Sequence, residues 1–406
     1  MDAPLARRSR GRVGADTPLR TGAPIRLAPG GSAIPWRAIA RISQERDART
    51  ALEGTIRSRF PDRRVTFHAS GREAMRIALV RLADRSGRRE IAIPAYGCFS
   101  IPASVVAAGL RVRLVDVDER GQLSREAVAR IPFEHVAAIV VGNLFGVPEA
   151  IADVVRAAHA RDTAVVDDAA QSLGARSPDG SVGDRGDVGI LSFGRGKPLS
   201  ALGGGAAIWR DGSLADRIES GLAEPNRIAA LLRGLGYNGA RQPAVLGLLA
   251  SIPALGIGMT TYDPAFERGA MSGSAVALAA ALAPELDELN QSRRERAHAL
   301  SELIRSKTAF VPLLESEQAR GVFTRLAILA PTAARRDRVL ATLAHLGATA
   351  MYPSPIDSIR ALLPHRTDET PCPGARDFCD RLLTLPTHPG LFPARLEEVV
   401  RVLARS

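Results

Sequence analysis

Thr163-Ala-Val-Val-Asp167-Asp168-Ala-Ala-Gln171 opens the stretch on which the fold turns. Val188-Gly-Ile-Leu-Ser192-Phe193-Gly194-Arg195-Gly196-Lys197-Pro198 and Leu202-Gly203-Gly204-Gly205 close it. Each half begins with a short apolar run, the length of a buried strand, and then breaks into polar or small residues. In α/β sheets ligands bind beyond the carboxyl ends of strands, so these two breaks are where chemistry is expected. Side chains alternate along a strand, so Asp167 and Asp168 face opposite ways. A carboxylate at that strand end suits a buried cation such as a protonated ring nitrogen; it would serve equally as an N-cap for the segment after it. The glycine-rich loop around Lys197 is not a nucleotide P-loop. Its spacing would need glycine at Leu191 and a hydroxyl residue at Pro198.

Further strands flank this stretch at Arg64–Phe67, Glu90–Pro94, Arg111–Val117, Val136–Val141 and Gly205–Trp209, with Thr163–Val166 and Val188–Phe193 between. Met75, Ala78, Leu79 and Leu82 mark one helical face, and Ala150–Ala160 behaves similarly. Strands alternating with helices predict an α/β domain built on a mostly parallel seven-stranded sheet covered on both faces. A long helical segment from Gly273 to about Lys307 then leads to a smaller α+β domain. There Thr324–Leu329 and Ala348–Tyr352 read as strands, and Ala333–Leu346, Gly374–Leu383 and Ala394–Arg405 as helices. The expected organisation is an arginine-rich arm over 1–32, a large domain over 33–305 and a small domain over 306–406. Phe67-His-Ala-Ser70-Gly71-Arg72-Glu73 carries a strand into a small-residue turn ahead of a helix, a ready seat for phosphate.

Composition narrows the field. The chain has 406 residues and a formal charge of +11, with 54 Lys+Arg against 43 Asp+Glu. Three cysteines and seven scattered histidines exclude a disulfide scaffold and offer no metal-ligand spacing. Up to residue 37 there are seven arginines and two acids, so much of the excess sits in the arm, and with 4% aromatics no nucleic-acid motif emerges. No targeting signal is evident, and a cytoplasmic location is expected. Gln242–Tyr262 carries no charge but holds Pro243, Pro253 and three glycines, and reads as a buried or interface segment, with membrane contact the lesser option. Only Lys197 and Lys307 are lysine; the other 52 basic residues are arginine. Codon bias explains the arginines. A lysine in an enclosed glycine-rich loop also suits a nucleophilic amine, which arginine cannot supply. A phosphate seat, a carboxylate for a ring nitrogen and an amine for a Schiff base together fit pyridoxal 5′-phosphate.

The combined run of Val166-Asp-Asp168-Ala-Ala-Gln171-Ser-Leu-Gly174-Ala, Gly183-Asp, Gly186-Asp-Val-Gly189, Ser192-Phe193, Lys197 and Gly203-Gly-Gly resembles the DegT-type sugar-nucleotide aminotransferases, fold type I enzymes dependent on that cofactor. Ala69-Ser-Gly71-Arg-Glu-Ala, Pro94-Ala-Tyr-Gly-Cys98, Asn143-Leu-Phe-Gly146-Val-Pro148 and Leu385-Pro386-Thr-His388-Pro389 extend the resemblance over roughly residues 25 to 405, weakening between about 210 and 270. It implies that Lys197 forms the Schiff base and shuttles protons, and that Asp168 pairs with the pyridinium nitrogen. It further implies that Gln171 faces the cofactor, and that Ser192 and the backbone at Gly71, Arg72 and Glu73 hold its phosphate. Cys98 occupies the ring-stacking position, commonly aromatic, with Tyr96 and Phe99 near it. The family is similar in forming homodimers, which makes Asn238 in Gly236-Tyr237-Asn238-Gly239 the candidate partner residue reaching the phosphate. Three departures stand out: Arg72 replaces a hydroxyl residue, Asn143 stands where histidine is frequent, and the uncharged stretch separates Asn238 from Met271-Ser272.

The expected activity is amino transfer from an amino acid, glutamate being the expected donor, to a keto sugar nucleotide in amino-sugar, polysaccharide or natural-product biosynthesis. The alternatives are amination of a cyclitol or other cyclic ketone, and a non-catalytic regulatory or membrane-associated role. Dehydratase relatives carry histidine in place of the Schiff-base lysine, so Lys197 speaks against dehydration. Nucleic acid and metal are not expected.

Overall fold

The structure is a computed structural model that describes residues 27–44, 47–216, 218, 221–250, 261–393 and 395–406. Most of the expected arm (1–26) and the middle of the uncharged stretch (251–260) lie outside the described residues.

The strands are β1 (Arg64–His68), β2 (Glu90–Pro94), β3 (Arg111–Val115), β4 (Val136–Gly142), β5 (Ala164–Asp168), a two-residue hairpin of β6 (Arg176–Ser177) and β7 (Gly180–Ser181), β8 (Val188–Ser192) and β9 (Gly205–Trp209). Seven of them form one sheet in the order β1-β9-β8-β5-β4-β2-β3. Every pairing is parallel except the two made by β9. The reason is connection length. β2–β3 and β4–β5 are joined through helices and β5 reaches β8 through the β6–β7 hairpin, whereas β8 runs into β9 through a shorter glycine-rich loop and β9 returns antiparallel. β5 lies at the centre with β4 beside it, and β4 residues 136–141 are all buried, as continuous apolar strands covered on both faces require.

Helices α1 (Trp36–Gln44), α2 (Ala48–Arg59), α3 (Gly71–Ser86), α4 (Ser100–Ala107), the short α5 (Arg125–Ala129), α6 (Ala152–His159), α7 (Arg227–Ala240), α8 (Pro243–Ala250), α9 (Gly273–Leu282) and α10 (Leu286–Lys307) accompany the sheet. α3 buries Met75, Ala78, Leu79 and Leu82, the stripe read from their spacing. α9 is buried along its whole length against α1, α2 and α7, which explains its lack of any charged residue. The long helix expected from Gly273 is interrupted at Ala283–Glu285, where Pro284 cannot donate to the helical ladder.

Beyond α10, β10 (Val311–Pro312), β11 (Leu326–Leu329) and β12 (Leu382–Leu385) make a three-stranded antiparallel sheet, covered by α11 (Ala333–Leu343), α12 (Pro373–Arg381) and α13 (Leu396–Arg405). Two expectations fail here. Ala348–Tyr352 makes a single bridge, Thr349 to Thr384, because Met351 turns to φ 58° and Pro353 comes two residues later. The helix expected to reach Leu383 stops at Arg381, and Leu382–Leu385 is the strand paired with β11. Tertiary pairing overrides helical propensity in that leucine-rich segment.

Candidate active site

The carboxyl ends of β1, β5 and β8 converge. A cavity of about 250 Å³ opens there, lined among others by Gly71, Arg72, Cys98, Asp168, Ser192 and Lys197. Residues far apart in the chain thus share one wall, because β5 pairs directly with β8 and β9 brings β1 alongside.

Its floor is the start of α3. Ser70 caps the helix, its Oγ accepting from the N–H of Glu73 at 3.2 Å. The N–H groups of Gly71 and Arg72 precede any intrahelical acceptor and lie at the positive end of the helix dipole. Gly71 is compulsory for a steric reason: a Cβ there would stand 2.8 Å from Ser192 Cβ. That close approach carries Ser192 to the same turn. The Arg72 guanidinium lies over the Phe266 ring at 5.0 Å, and its carbonyl accepts from Ser104 Oγ. Glu73 is different. Its N–H is taken by Ser70 and its carboxylate grips Arg76 at 2.7 and 2.8 Å, so it closes the helix start and does not line the cavity.

Asp168 ends β5. Its Oδ1 accepts from the N–H of Ala170 at 2.9 Å. Burial raises its pKa above the ordinary carboxylate value; the Ala170 bond and the Lys197 cation pull it down, and Asp167 pushes it up. A carboxylate in that position gains most from an added cation. Cys98 is the residue of its segment that reaches the cavity, with Sγ accepting from Ser100 Oγ at 2.9 Å. Tyr96 and Phe99 do not. Both are buried in the core, Tyr96 edge-on to Tyr352 and Phe378.

Two of the expected site residues are engaged elsewhere. Gln171 donates from Nε2 to Tyr352 Oη at 2.8 Å and accepts from the N–H of Phe145 at 3.2 Å, so its amide braces the back of the site and does not line the cavity. Asn238 pairs with the backbone of Ile34 in its own chain, accepting its N–H at 2.8 Å and donating to its carbonyl at 2.9 Å. It lines a different cavity from Lys197.

Behind Asp168 lies a polar network. The Asp167 carboxylate, fully buried, holds the Arg185 guanidinium at 2.8 and 3.0 Å and accepts from the N–H of Gly183 at 2.7 Å. Asn143 bridges this pair to the site: its Nδ2 donates to Asp167 at 2.8 Å and to the Asp168 carbonyl at 2.9 Å, while its Oδ1 accepts from Arg185 at 2.7 Å. Arg185 and Tyr352 were not among the residues singled out from sequence. In a glycine-rich loop Arg185 reads as a solvated charge; the one available signal is Asp167, an acid at an inward position of an apolar strand. Tyr352 comes from the C-terminal part of the chain, and no local pattern ties it to Gln171.

The cavity fits pyridoxal 5′-phosphate in its donor set: a helix start and the Ser192 hydroxyl for a phosphate, the Asp168 carboxylate for a ring nitrogen, and the Lys197 amine for a carbonyl carbon. Among the described residues no cluster of His, Cys, Asp and Glu could hold a metal ion, and no helix is long and apolar enough to cross a membrane.

Comparison with known proteins places the chain in a family. The model of the DegT/DnrJ/EryC1/StrS aminotransferase family matches residues 44–404. A UDP-N-acetyl-3-dehydro-alpha-D-glucosamine 3-aminotransferase from Acidithiobacillus ferrooxidans is 25% identical over 343 residues, 83% of each chain. In structure the chain is similar to PseC from Helicobacter pylori, an aminotransferase involved in the biosynthesis of pseudoaminic acid, with TM-score 0.72, 17% identity and 94% and 98% of the two chains covered. It is similar to the PLP form of Spr1654 from Streptococcus pneumoniae at TM-score 0.72 and 16% identity, over 94% and 98% of the chains.

Proposed function

The chain belongs to the DegT/DnrJ/EryC1/StrS aminotransferase family, whose members depend on pyridoxal phosphate, and from that premise we propose that it moves an amino group from an amino acid, glutamate in this reading, to a keto sugar joined to a nucleotide. The observation that carries the proposal is the single cavity shared by Lys197, Asp168 and the Gly71–Arg72 turn. When bound, the cofactor supplies a carbonyl carbon for amines and a ring that withdraws electrons. Lys197 would hold the cofactor through its Nζ amine and, once released from it, would serve as the proton carrier of the site. Asp168 keeps the ring nitrogen protonated, and the cation so formed relieves the cost of burying the carboxylate. Gly71, Arg72 and Ser192 would seat the phosphate, and Cys98 would lie against the ring. Asn143, Asp167 and Arg185 keep the end of β5 in place.

An intact Lys197 with Asp168 and Ser192 favours catalysis over a regulatory role. The homodimer belongs to this reading too, supported by the exposed apolar residues Ile228, Leu232 and Leu235 on α7 and Val245 and Leu248 on α8. The test begins with purified protein, which should absorb in the visible and be trapped covalently by borohydride at Lys197. Lys197→Arg should abolish both; trapping that survives the substitution refutes the assignment. Amination of 3-keto and 4-keto nucleotide sugars, assayed with glutamate, then identifies the acceptor.

A further inference from the structure

The uncharged stretch that separates Asn238 from Met271 is followed by a segment, residues 261–270, that returns to the cavity. Tyr262 packs against the hydrophobic core that holds α3. The Gly269 carbonyl accepts from the N–H of Ala69 at 2.7 Å, directly ahead of the Ser70 cap. Met271 lies against Gly204, where a Cβ would stand 2.6 Å from its Sδ, and Gly204 lines the cavity. The segment is thus tied to the turn that starts α3. Phe266 stands between these anchors in sequence and meets Arg72, whose guanidinium lies 5.0 Å from the ring centroid.

Arg72 breaks a local rule. The first turn of a helix favours acids, because its N–H groups already concentrate positive charge there. The one acid in that turn, Glu73, is spent on Arg76. Among the described residues the half-buried Arg72 guanidinium has neither an ion pair nor a hydrogen-bond partner, and its one contact of note is the Phe266 ring. Stacking engages the face of a guanidinium and leaves its in-plane N–H groups free. The ring therefore fixes the cation without consuming its donors. Asn238, the side chain expected at the phosphate, spends both ends of its amide on Ile34 and adds nothing here. Two positive groups meet at one end of the cavity, and a local conflict of that kind marks a place where a ligand supplies the missing charge.

We propose that the Arg72 side chain is the counter-charge of the cofactor phosphate and that Phe266 is the positioning residue that holds it, so that the segment after the uncharged stretch completes the phosphate end of the site within its own chain. The inference rests on the pyridoxal-phosphate reading given above and adds a side-chain cation to the turn described there. A phosphate dianion between the start of α3 and the guanidinium cancels the repulsion between them. The guanidinium fork matches phosphate oxygens in pairs, which an ammonium does not.

The test titrates the full chain, stripped of cofactor, with pyridoxal phosphate and with pyridoxal, which offers the same aldehyde but no phosphate. Arg72→Gln should lower pyridoxal phosphate affinity about tenfold, the worth of a charge-assisted hydrogen bond, and leave pyridoxal within about twofold of the parent. Arg72→Lys should retain part of the affinity, since the charge stays and the fork is lost. Phe266→Leu should cost about threefold for pyridoxal phosphate alone, and Phe266→Tyr should restore it. Pyridoxal phosphate affinity within about twofold of the parent in Arg72→Gln overturns the proposal. So does an equal loss for the two aldehydes, which marks a disturbed fold and no particular contact with phosphate. Unchanged affinity in Phe266→Leu overturns the positioning role. A parent protein in which borohydride traps neither aldehyde at Lys197 refutes the cofactor reading itself, and the proposal with it.

Discussion

Asp167 and Asp168 are neighbours of identical chemistry with opposite fates. The strand pleat turns one inward, where Arg185, Gly183 and Asn143 saturate it, and the other toward the cavity, where a single backbone N–H meets it. The inward pair is structural, and its cost appears when it is broken. Arg185→Met should destabilise the chain by about 3–5 kcal/mol, since it strands a buried carboxylate. Arg185→Met with Asp167→Asn should recover part of that loss. Denaturant titration measures both, and a single variant as stable as the parent would show that Asp167 finds another partner. Asn143 gives the same pair a second use, holding the Asp168 carbonyl in register with the site.

Helix α3 works at both ends of its first turn. Ser70 closes it by accepting from Glu73, Glu73 locks onto Arg76, and in the proposed reading the backbone N–H groups at Gly71 and Arg72 receive the phosphate. Ser70→Ala should cost about 1 kcal/mol of stability through the lost cap. It should also weaken pyridoxal phosphate binding measurably, because a frayed first turn no longer presents those N–H groups together; Ser70→Thr should restore both. Fluorescence titration of the cofactor checks it, and an affinity unchanged in the alanine variant would remove α3 from the phosphate site. The β8–β9 loop is the complementary element. It lets β9 return antiparallel without a helix, and it carries Lys197 on its way.

For the whole molecule, buried titratable groups on different elements set the pH profile of stability. Burial lowers His68 and His388 from 6.5 to about 4, so the unfolded chain binds more protons than the folded one between those values. Their contribution is complete above pH 6.5 and falls away as the pH drops to about 4. Glu149 acts in the opposite sense. Burial raises it from 4.5 to about 8, so its contribution is complete below 4.5 and lost as the pH rises through about 8. Thermal midpoints should therefore peak near pH 6.5, and Glu149→Gln should flatten the decline on the alkaline side. An alkaline slope identical in parent and variant contradicts the assignment to Glu149.

Local pattern alone determined a great deal of this protein. All seven strands of the large sheet were legible, because a strand buried on both faces must be short, apolar and bounded by turn residues. Lys197, Asp168 and the Gly71 turn were legible as candidates, since a parallel sheet collects its ligands at strand ends. The small domain was read less well: the Leu382–Leu385 segment is as apolar as a helix end, and only pairing with β11 makes it a strand. The partners of Asp167 and the brace between Gln171 and Tyr352 were decided by tertiary structure alone. Each joins side chains from separate elements, and charge or hydrogen-bond compensation at that range leaves no periodicity in the chain.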